Sequence, residues 1–368
     1  MNTNITEEQL LSTEHFLSTQ NIWYKKDHHI KYDTFFKTGG IVKIFITPNN
    51  ANELSKTIAY LHKSHLGYKV IGFTSNIIFF DEIQYSVIIS TCNIKDVSIS
   101  GNHIDVGCGY SLQDFVRIAI INGVEGYEGL EGIPGSIGGG VFMNAGAYGY
   151  EIATNIISIE YIDELGMINS ISQEQCKFGY RKSFFKNSKN IITSVRFKFD
   201  KTNSTQSIVE RVERYHIARH SYQEFAYPNL GSMFSVNSDF YREIIKNEKK
   251  SFLLSYHILK LLTKNPVTKF INRKSPNSSA LNWLIFKKIK NINYTPSKKG
   301  MNIFINSGKL STKESFEYIF EIKNRLGEKF HIENESILGP IYRIDPEFVP
   351  TYQAISENLA TKNKEYSK

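Results

Sequence analysis

Between Gly126 and Ile152 the chain reads GYEGLEGIPGSIGGGVFMNAGAYGYEI, with nine glycines in 27 residues. That is far above the usual share of about 7%. Glycine reaches positive φ without strain and lets the main chain come close to a ligand. Chained backbone N–H groups in such a stretch can cradle a pyrophosphate. A flexible linker would be rich in glycine and serine. Here Ile133, Ile137, Val141, Phe142, Met143 and Tyr148 are interleaved instead. The stretch therefore reads as a structured, ligand-binding one.

A second glycine site follows a short apolar run, in Lys69-Val-Ile-Gly72-Phe-Thr74-Ser75-Asn76. Gly72 offers turn geometry, and Thr74, Ser75 and Asn76 offer donors to phosphate. Neither site fits the Rossmann or Walker spacing. Upstream, Ile41–Thr47 is extended, and Glu53–His65 places Leu54, Ile58 and Leu61 at helical spacing. With a strand at Tyr68–Gly72 this makes an α/β unit. Further strands are expected at Ser86–Thr91, His103–Val106, Ile156–Ile162, Ile191–Phe199 and Met301–Ile305. Helices are expected at Leu112–Asn122, Ala280–Lys288, Ser311–Leu326 and Ile208–Arg219, the last with Ile208, Val209, Val212 and Tyr215 as its apolar side. Trp23, Tyr24 and the N-terminal helix read as packing. Residues 247–279 are lysine-rich, patterned only at Leu253–Leu262, and read as an insertion; the tail after Pro350 is expected to fray.

At 368 residues the chain is long enough for two or three domains. Its 41% hydrophobic and 22% charged residues exclude wholesale disorder. No apolar run approaches the ~20 residues of a membrane helix, and the polar, acidic start does not read as a secretory signal. A cytoplasmic protein is expected. The net charge of +8 suits anionic ligands. The lysine clusters at 246, 249 and 250 and at 287, 288 and 290 read as solvated faces, so neither nucleic acid nor a membrane is expected as a partner. Cys92, Cys108 and Cys176 have no CxxC or zinc spacing and read as reduced thiols. His216 and His220 are four apart on a helix, but no carboxylate completes a metal set locally, and no metal is expected.

Two separated phosphate-type loops on an α/β frame suit a dinucleotide lying across both. Gly132-Ile-Pro-Gly-Ser-Ile-Gly-Gly-Gly140 with Asn144-Ala-Gly-Ala-Tyr-Gly149 closely resembles the UDP-N-acetylenolpyruvoylglucosamine reductases, the MurB family. These are FAD enzymes of the vanillyl-alcohol-oxidase-type flavin fold. Gly72–Asn76 resembles their shorter flavin loop, G-x-G-S-N, with Phe73-Thr74 in its middle. Asp33-Thr34-Phe35 resembles their early N-T-F. Phe178-Gly-Tyr-Arg-Lys-Ser-Phe-Phe-Lys186 matches F-x-Y-R-x-S-x-F-K, and Tyr227-Pro-Asn-Leu-Gly-Ser-Met-Phe234 is similar to Y-P-S-A-G-S-x-F. Trp283-Leu-Ile285, Gly327-Glu-Lys-Phe and Ile332-Glu-Asn-Glu335 resemble the later motifs, in family order.

The resemblance implies an α/β (α+β) fold: a PCMH-type flavin fold of two subdomains, residues 1–90 and 91–220, and a C-terminal α/β substrate-binding domain, residues 221–340. The tail, 341–368, would return to the first subdomain. It implies FAD as cofactor and NADPH as reductant, and reduction of UDP-N-acetylglucosamine enolpyruvate by a monomer acting on a small nucleotide sugar. Cofactor-binding positions carried over are Gly72, Thr74, Ser75, Asn76, Gly132, Ile133, Pro134, Gly135, Ser136, Gly138, Gly139, Asn144, Gly146, Ala147 and Tyr148. Ser232 becomes the proton donor, Arg181 the partner of the substrate carboxylate and Glu335 the acid that stabilises its enolic form. Tyr180, Arg219, His220, Tyr222 and Asn237 become substrate-binding positions. Three departures fall in the substrate half. Tyr222 stands where the family's K-x-P lysine belongs, Ser235 where a lysine follows the phenylalanine, and Gly300 where a histidine is usual. They keep open a related flavoenzyme acting on another nucleotide sugar, or a flavin-binding protein without turnover; intact Ser232, Arg181 and Glu335 argue against the last.

Overall fold

A computed structural model of the chain describes residues 5–201, 205–234, 240–264, 284, 297, 300–308, 311–327 and 332–365. Several expectations fall outside them: Asn237, Ser235, Trp283, most of the Ala280–Lys288 helix and the lysines at 287, 288 and 290.

β-branched runs build all but the first strand of the first sheet, Tyr24–His29 being YKKDHH. Tyr24–His29, Ile41–Ile46, Ile83–Ser90 and Ile341–Ile344 lie side by side in that order, and Lys69–Ile71 also pairs with Ile83–Ser90. Ile41–Ile46 and Lys69–Ile71 run parallel to Ile83–Ser90. The helix Ala51–Lys63 lies between Ile41–Ile46 and Lys69–Ile71 in the chain; Asn50 caps it and Leu54, Ile58 and Leu61 are buried on one face. The second sheet is wholly antiparallel: Ile168–Ser172, Ile156–Ile162, Ile191–Lys198, His103–Gly107 and Val97–Ser100. The helix Leu112–Ile121 buries Leu112, Phe115, Val116 and Ala119 in the same core as this sheet. Three small pairings sit at the functional end: Asn229–Ser232 with Ile303–Ile305, Glu335–Ile337 with Ile77–Phe79, and Gly146–Ala147 with Tyr150–Glu151.

Two cores result, and they share the first sheet. Ile44, Ile46, Val87 and Ile89 belong to the core that includes the second sheet. Val42, Phe45, Ile83, Tyr85 and Ile88, on the same two strands, belong to the core that includes Met233, Phe304, Phe316 and Ile319.

Three expectations are corrected. The tail beyond Pro350 does not fray at once: the helix Val349–Glu365 follows Phe348, and Phe348, Tyr352 and Ile355, spaced for one helical face, pack on the second core. Trp23 is half exposed, with the Lys25 ammonium 5.1 Å from its ring centre, rather than core packing. The helix Gln206–Tyr222 turns Val209 to solvent and buries Ile208 and Arg219, three turns apart. Its inward side runs through Ile208, Arg211, Val212, Tyr215 and Arg219, so the expected side holds except at Val209. Hydrophobicity alone misses the inward Arg211 and Arg219 because the surface they meet is polar.

Candidate active site

The two glycine sites touch. A Cβ at Gly72 would fall 2.3 Å from the Ser136 hydroxyl, so only glycine admits the approach. Ser75 Oγ donates to the Pro134 carbonyl at 2.7 Å. Thr74 sits at φ +57, and its hydroxyl accepts from the Phe35 N–H at 2.7 Å, which ties the Asp33-Thr34-Phe35 segment to the same loop. The two phosphate-type loops are thus one surface.

Backbone bonds narrow that surface. The Ile137 and Gly138 N–H groups donate to Tyr110 and Cys108 carbonyls at 2.9 and 2.8 Å, and the Gly139 N–H donates to Ser136 Oγ at 3.3 Å. The expected Gly138 amide is therefore spent on Cys108, and the Gly139 amide on Ser136, which caps the short helix Ile137–Phe142. The amides of Gly132, Gly135 and Ser136 make no bond to a protein acceptor among the described residues. Ile133 packs on the first core. Asn144, at φ +44, spends its side chain within the protein: its amide donates to Glu151 and Gly179, and its oxygen accepts from Ala153 N–H. Gly146 and Ala147 form one arm of a small hairpin, with Tyr148 at its turn.

Arg219 meets the long stretch directly. Its Cδ and Nε lie 3.0 Å from where a Cβ on Gly132, at φ +76, would stand. Its guanidinium lies 5.4 Å from the Tyr148 ring centre. The residue is only 7% exposed, and Nε and Nη2 are buried without a hydrogen-bond partner among the described residues. Tyr148 stacks on Tyr215 at 4.6 Å, and its hydroxyl shares a 3.1 Å bond with that of Tyr222. Burial first, and then the Tyr222 contact, push the Tyr148 phenol up to about 12, with Arg219 opposing. His220 instead stacks on Phe225 at 4.3 Å.

A second cluster forms around Asn76. Its side-chain oxygen accepts from Asn334 at 2.9 Å, and its carbonyl accepts from the Glu335 N–H at 2.8 Å. Asn334 also donates to the Leu230 carbonyl, and Glu333 N–H donates to Met233, on either side of Ser232. The short flavin-type loop, the strand ending in Ser232 and the segment bearing Glu335 are thereby stitched together. Arg181 reaches the cluster from a tight turn closed by mutual Gly179–Lys182 bonds. At φ +52 it holds its guanidinium 5.1 Å from the Tyr180 ring centre and 3.5 Å from the Asn144 carbonyl. Tyr180 is exposed and donates to Glu333 at 3.0 Å.

Sequence reasoning missed two cations here. Lys186 Nζ stands 3.3 Å from Glu335 Oε1 and 3.3 Å from the Arg181 carbonyl. The ammonium is close to Oε1 but poorly aimed, so this buried oxygen has no hydrogen-bond donor among the described residues. Burial lowers the pKa of Lys69, against the opposing pull of Glu335. Lys186 ends the Phe178–Lys186 match, a signal in the sequence; Lys69 has none beyond its place before Gly72.

Comparison with known proteins agrees with this geometry. The model of a family described as FAD binding domain matches residues 42–172. A UDP-N-acetylenolpyruvoylglucosamine reductase of Fervidobacterium nodosum is 37% identical over 211 residues, 56% of this chain and 67% of that one. One from Streptococcus suis is 31% identical over 59% of this chain and 72% of its own length. The crystal structure of the reductase from Thermus caldophilus superposes with a TM-score of 0.62 at 22% identity, covering 86% of this chain and 99% of that one, and so shares the fold. The chain belongs to the UDP-N-acetylenolpyruvoylglucosamine reductase family.

Proposed function

We propose that the chain reduces UDP-N-acetylglucosamine enolpyruvate to UDP-N-acetylmuramate, with FAD as cofactor and NADPH as reductant. The observation that carries this reading is the junction at Asn76, which ties one glycine loop to both the Ser232 strand and Glu335. We read residues 1–90 and 91–220 as the halves that hold FAD and 221–340 as the part that covers the substrate. The enzyme acts in the cytoplasm as a monomer, in peptidoglycan precursor synthesis.

The residues present suit the cofactor. The bare Gly72 and the unbonded amides of Gly132, Gly135 and Ser136 leave a polar backbone surface. Arg219 adds a buried cation with two unsatisfied nitrogens, a costly arrangement that a pyrophosphate would relieve. Its contact with Gly132 favours flavin phosphate over the substrate phosphates that the family resemblance implied. FAD, when bound, supplies at N5 the hydride taken from NADPH and given to the methylene carbon of the enol ether. Ser232 would pass its hydroxyl proton to the neighbouring carbon, where negative charge develops. Arg181 would hold the substrate carboxylate on its planar fork. Glu335 would hydrogen-bond the enolic form of that carboxylate through Oε1, with the Lys186 ammonium beside it. Tyr180, His220, Tyr222 and Asn237 are left to the nucleotide sugar.

One observation favours a second reading. Tyr222 replaces an ammonium with a phenol already bonded to Tyr148, which would suit a different nucleotide sugar. An anaerobic absorption spectrum separates the two. Bleaching of the flavin band by NADPH and its recovery on adding the enol ether supports the first. A band that stays bleached supports the second. A protein that takes up no FAD sinks both.

A further inference from the structure

Lys186 joins separate parts of the site. Its Nζ donates to the Arg181 carbonyl at 3.3 Å, stands 3.3 Å from Glu335 Oε1 and lies 3.8 Å from Met143 Sδ, at the end of the helix in the long glycine stretch. The lysine is fixed from its own side. It belongs to the 3₁₀ turn Phe184–Asn187, in which Phe185 is fully buried. Just before that turn, Ser183 Oγ donates to the Phe142 carbonyl at 2.7 Å. Glu335 is fixed from the opposite side. Its strand pairs with Ile77–Phe79, and its N–H donates to the Asn76 carbonyl. The ammonium therefore spans from the long glycine stretch to the segment that follows the short one.

Both polar contacts have a physical consequence. Arg181 sits at φ +52, a conformation that costs a residue with a Cβ. A donor on its carbonyl holds that turn, and with it the direction in which the guanidinium leaves the chain. Glu335 poses a problem of charge. A second carboxylate beside that of the substrate repels it, and a cation next to Glu335 offsets the repulsion. The Lys186 side chain is only 22% exposed, so water screens the pair only in part. Lys69 also feels Glu335, but makes no hydrogen bond or ion pair with it among the described residues.

We propose that Lys186 is a positioning residue for reduction of the enol ether: it holds Glu335 and the Arg181 turn around the substrate carboxylate and offsets the charge of Glu335. This role rests on the reaction proposed above and acts in its second half, after the flavin has been reduced.

Anaerobic stopped-flow absorbance separates the two halves. Lys186→Met keeps the stem and removes the ammonium. Flavin uptake and flavin reduction by NADPH should be unchanged. Reoxidation by the enol ether should slow about 10- to 100-fold, the scale of losing a group that orients a reacting one. Lys186→Arg, which restores a cation, should recover most of that loss. In Lys186→Met/Glu335→Gln, reoxidation should be no slower than in Glu335→Gln alone, because no charge is left to offset. Should Lys186→Met take up no flavin, Lys186→Gln takes its place in every comparison. The role is overturned if reoxidation in Lys186→Met is as fast as in the parent, or if Lys186→Arg is as slow as Lys186→Met. It is also overturned if the two losses multiply in the double variant, since Lys186 would then act apart from Glu335. A parent whose reduced flavin the enol ether does not reoxidise sinks the proposed reaction, and this role with it. A parent that turns over beside an equally fast Lys186→Met sinks this role alone.

Discussion

Arg219 shows what one residue can reveal once its neighbours are known. From sequence it was an upstream cation near a lost lysine. In the fold it is buried against Gly132, under Tyr148, with two nitrogens unmet. Arg219→Met keeps the stem and removes the charge. It should weaken FAD binding by about tenfold or more, the scale of a charge-assisted hydrogen bond, while leaving the apoprotein as stable or more so, since an unpaired buried charge is removed. Flavin fluorescence titration and urea unfolding measure the two separately; unchanged FAD affinity would move Arg219 out of the cofactor site. Ser232→Ala tests the other end of the site. Flavin reduction by NADPH should survive and the second half-reaction should slow by about two to four orders of magnitude in stopped-flow absorbance. Equal second half-reactions would remove Ser232 from proton transfer. The motif residues were legible because each is a chemical type at a fixed spacing. Lys69 was not, because its chemistry comes from burial and from Glu335, which is paired with the next strand but distant in sequence.

The helix Gln206–Tyr222 sets Arg219, Tyr215 and Tyr222 against the glycine stretch, and it is pinned at its other end. Glu128, almost wholly buried, accepts from Arg211 Nε and Nη2 at 3.0 and 2.7 Å and from the Gly126 N–H at 2.7 Å. The Glu128 carboxylate raises the Arg211 pKa, chiefly through these bonds. Glu128→Gln keeps the shape and loses the charge. It should cost about 2–3 kcal/mol in urea unfolding, less than a fully buried pair, because a quarter of the Arg211 side chain remains in solvent. Flavin affinity should fall with it, since the helix and the stretch would no longer be held together. A stability loss with unchanged FAD affinity would mean that the helix is positioned by its Tyr215–Tyr148 stack alone. Long periodic elements such as Ile156–Ile162 could be placed from sequence to the residue. The inward Arg211 and Arg219 of this helix could not, because periodicity assigns arginines to solvent. The helix inside the glycine stretch was equally hidden, since three of its six residues are glycine.

At the scale of the molecule, two cores divide the side chains of one sheet between them, so neither can be lost without exposing the other's strands. Tyr85 makes the link specific. Its buried hydroxyl accepts from the Phe80 N–H at 2.9 Å and donates to the Ile337 carbonyl at 3.1 Å, joining the first sheet to the segment that bears Glu335. Removing it in Tyr85→Phe leaves a buried donor and acceptor unmet, at about 1–3 kcal/mol. The far-UV circular dichroism and flavin-release transitions in urea should shift together by that amount. If only flavin release shifts, the two cores unfold separately and the shared sheet does not couple them. The same phenol carries a pH signature. Burial raises the pKa of Tyr85 and of Tyr127 far above the free value, and both are protonated and neutral in the folded chain. A raised folded value means that their contribution is complete below the unfolded pKa of about 10 and is lost as the pH rises above it. The melting temperature should therefore fall steeply beyond about pH 10, and less steeply in Tyr85→Phe, where one of the two protons no longer has to be released on unfolding.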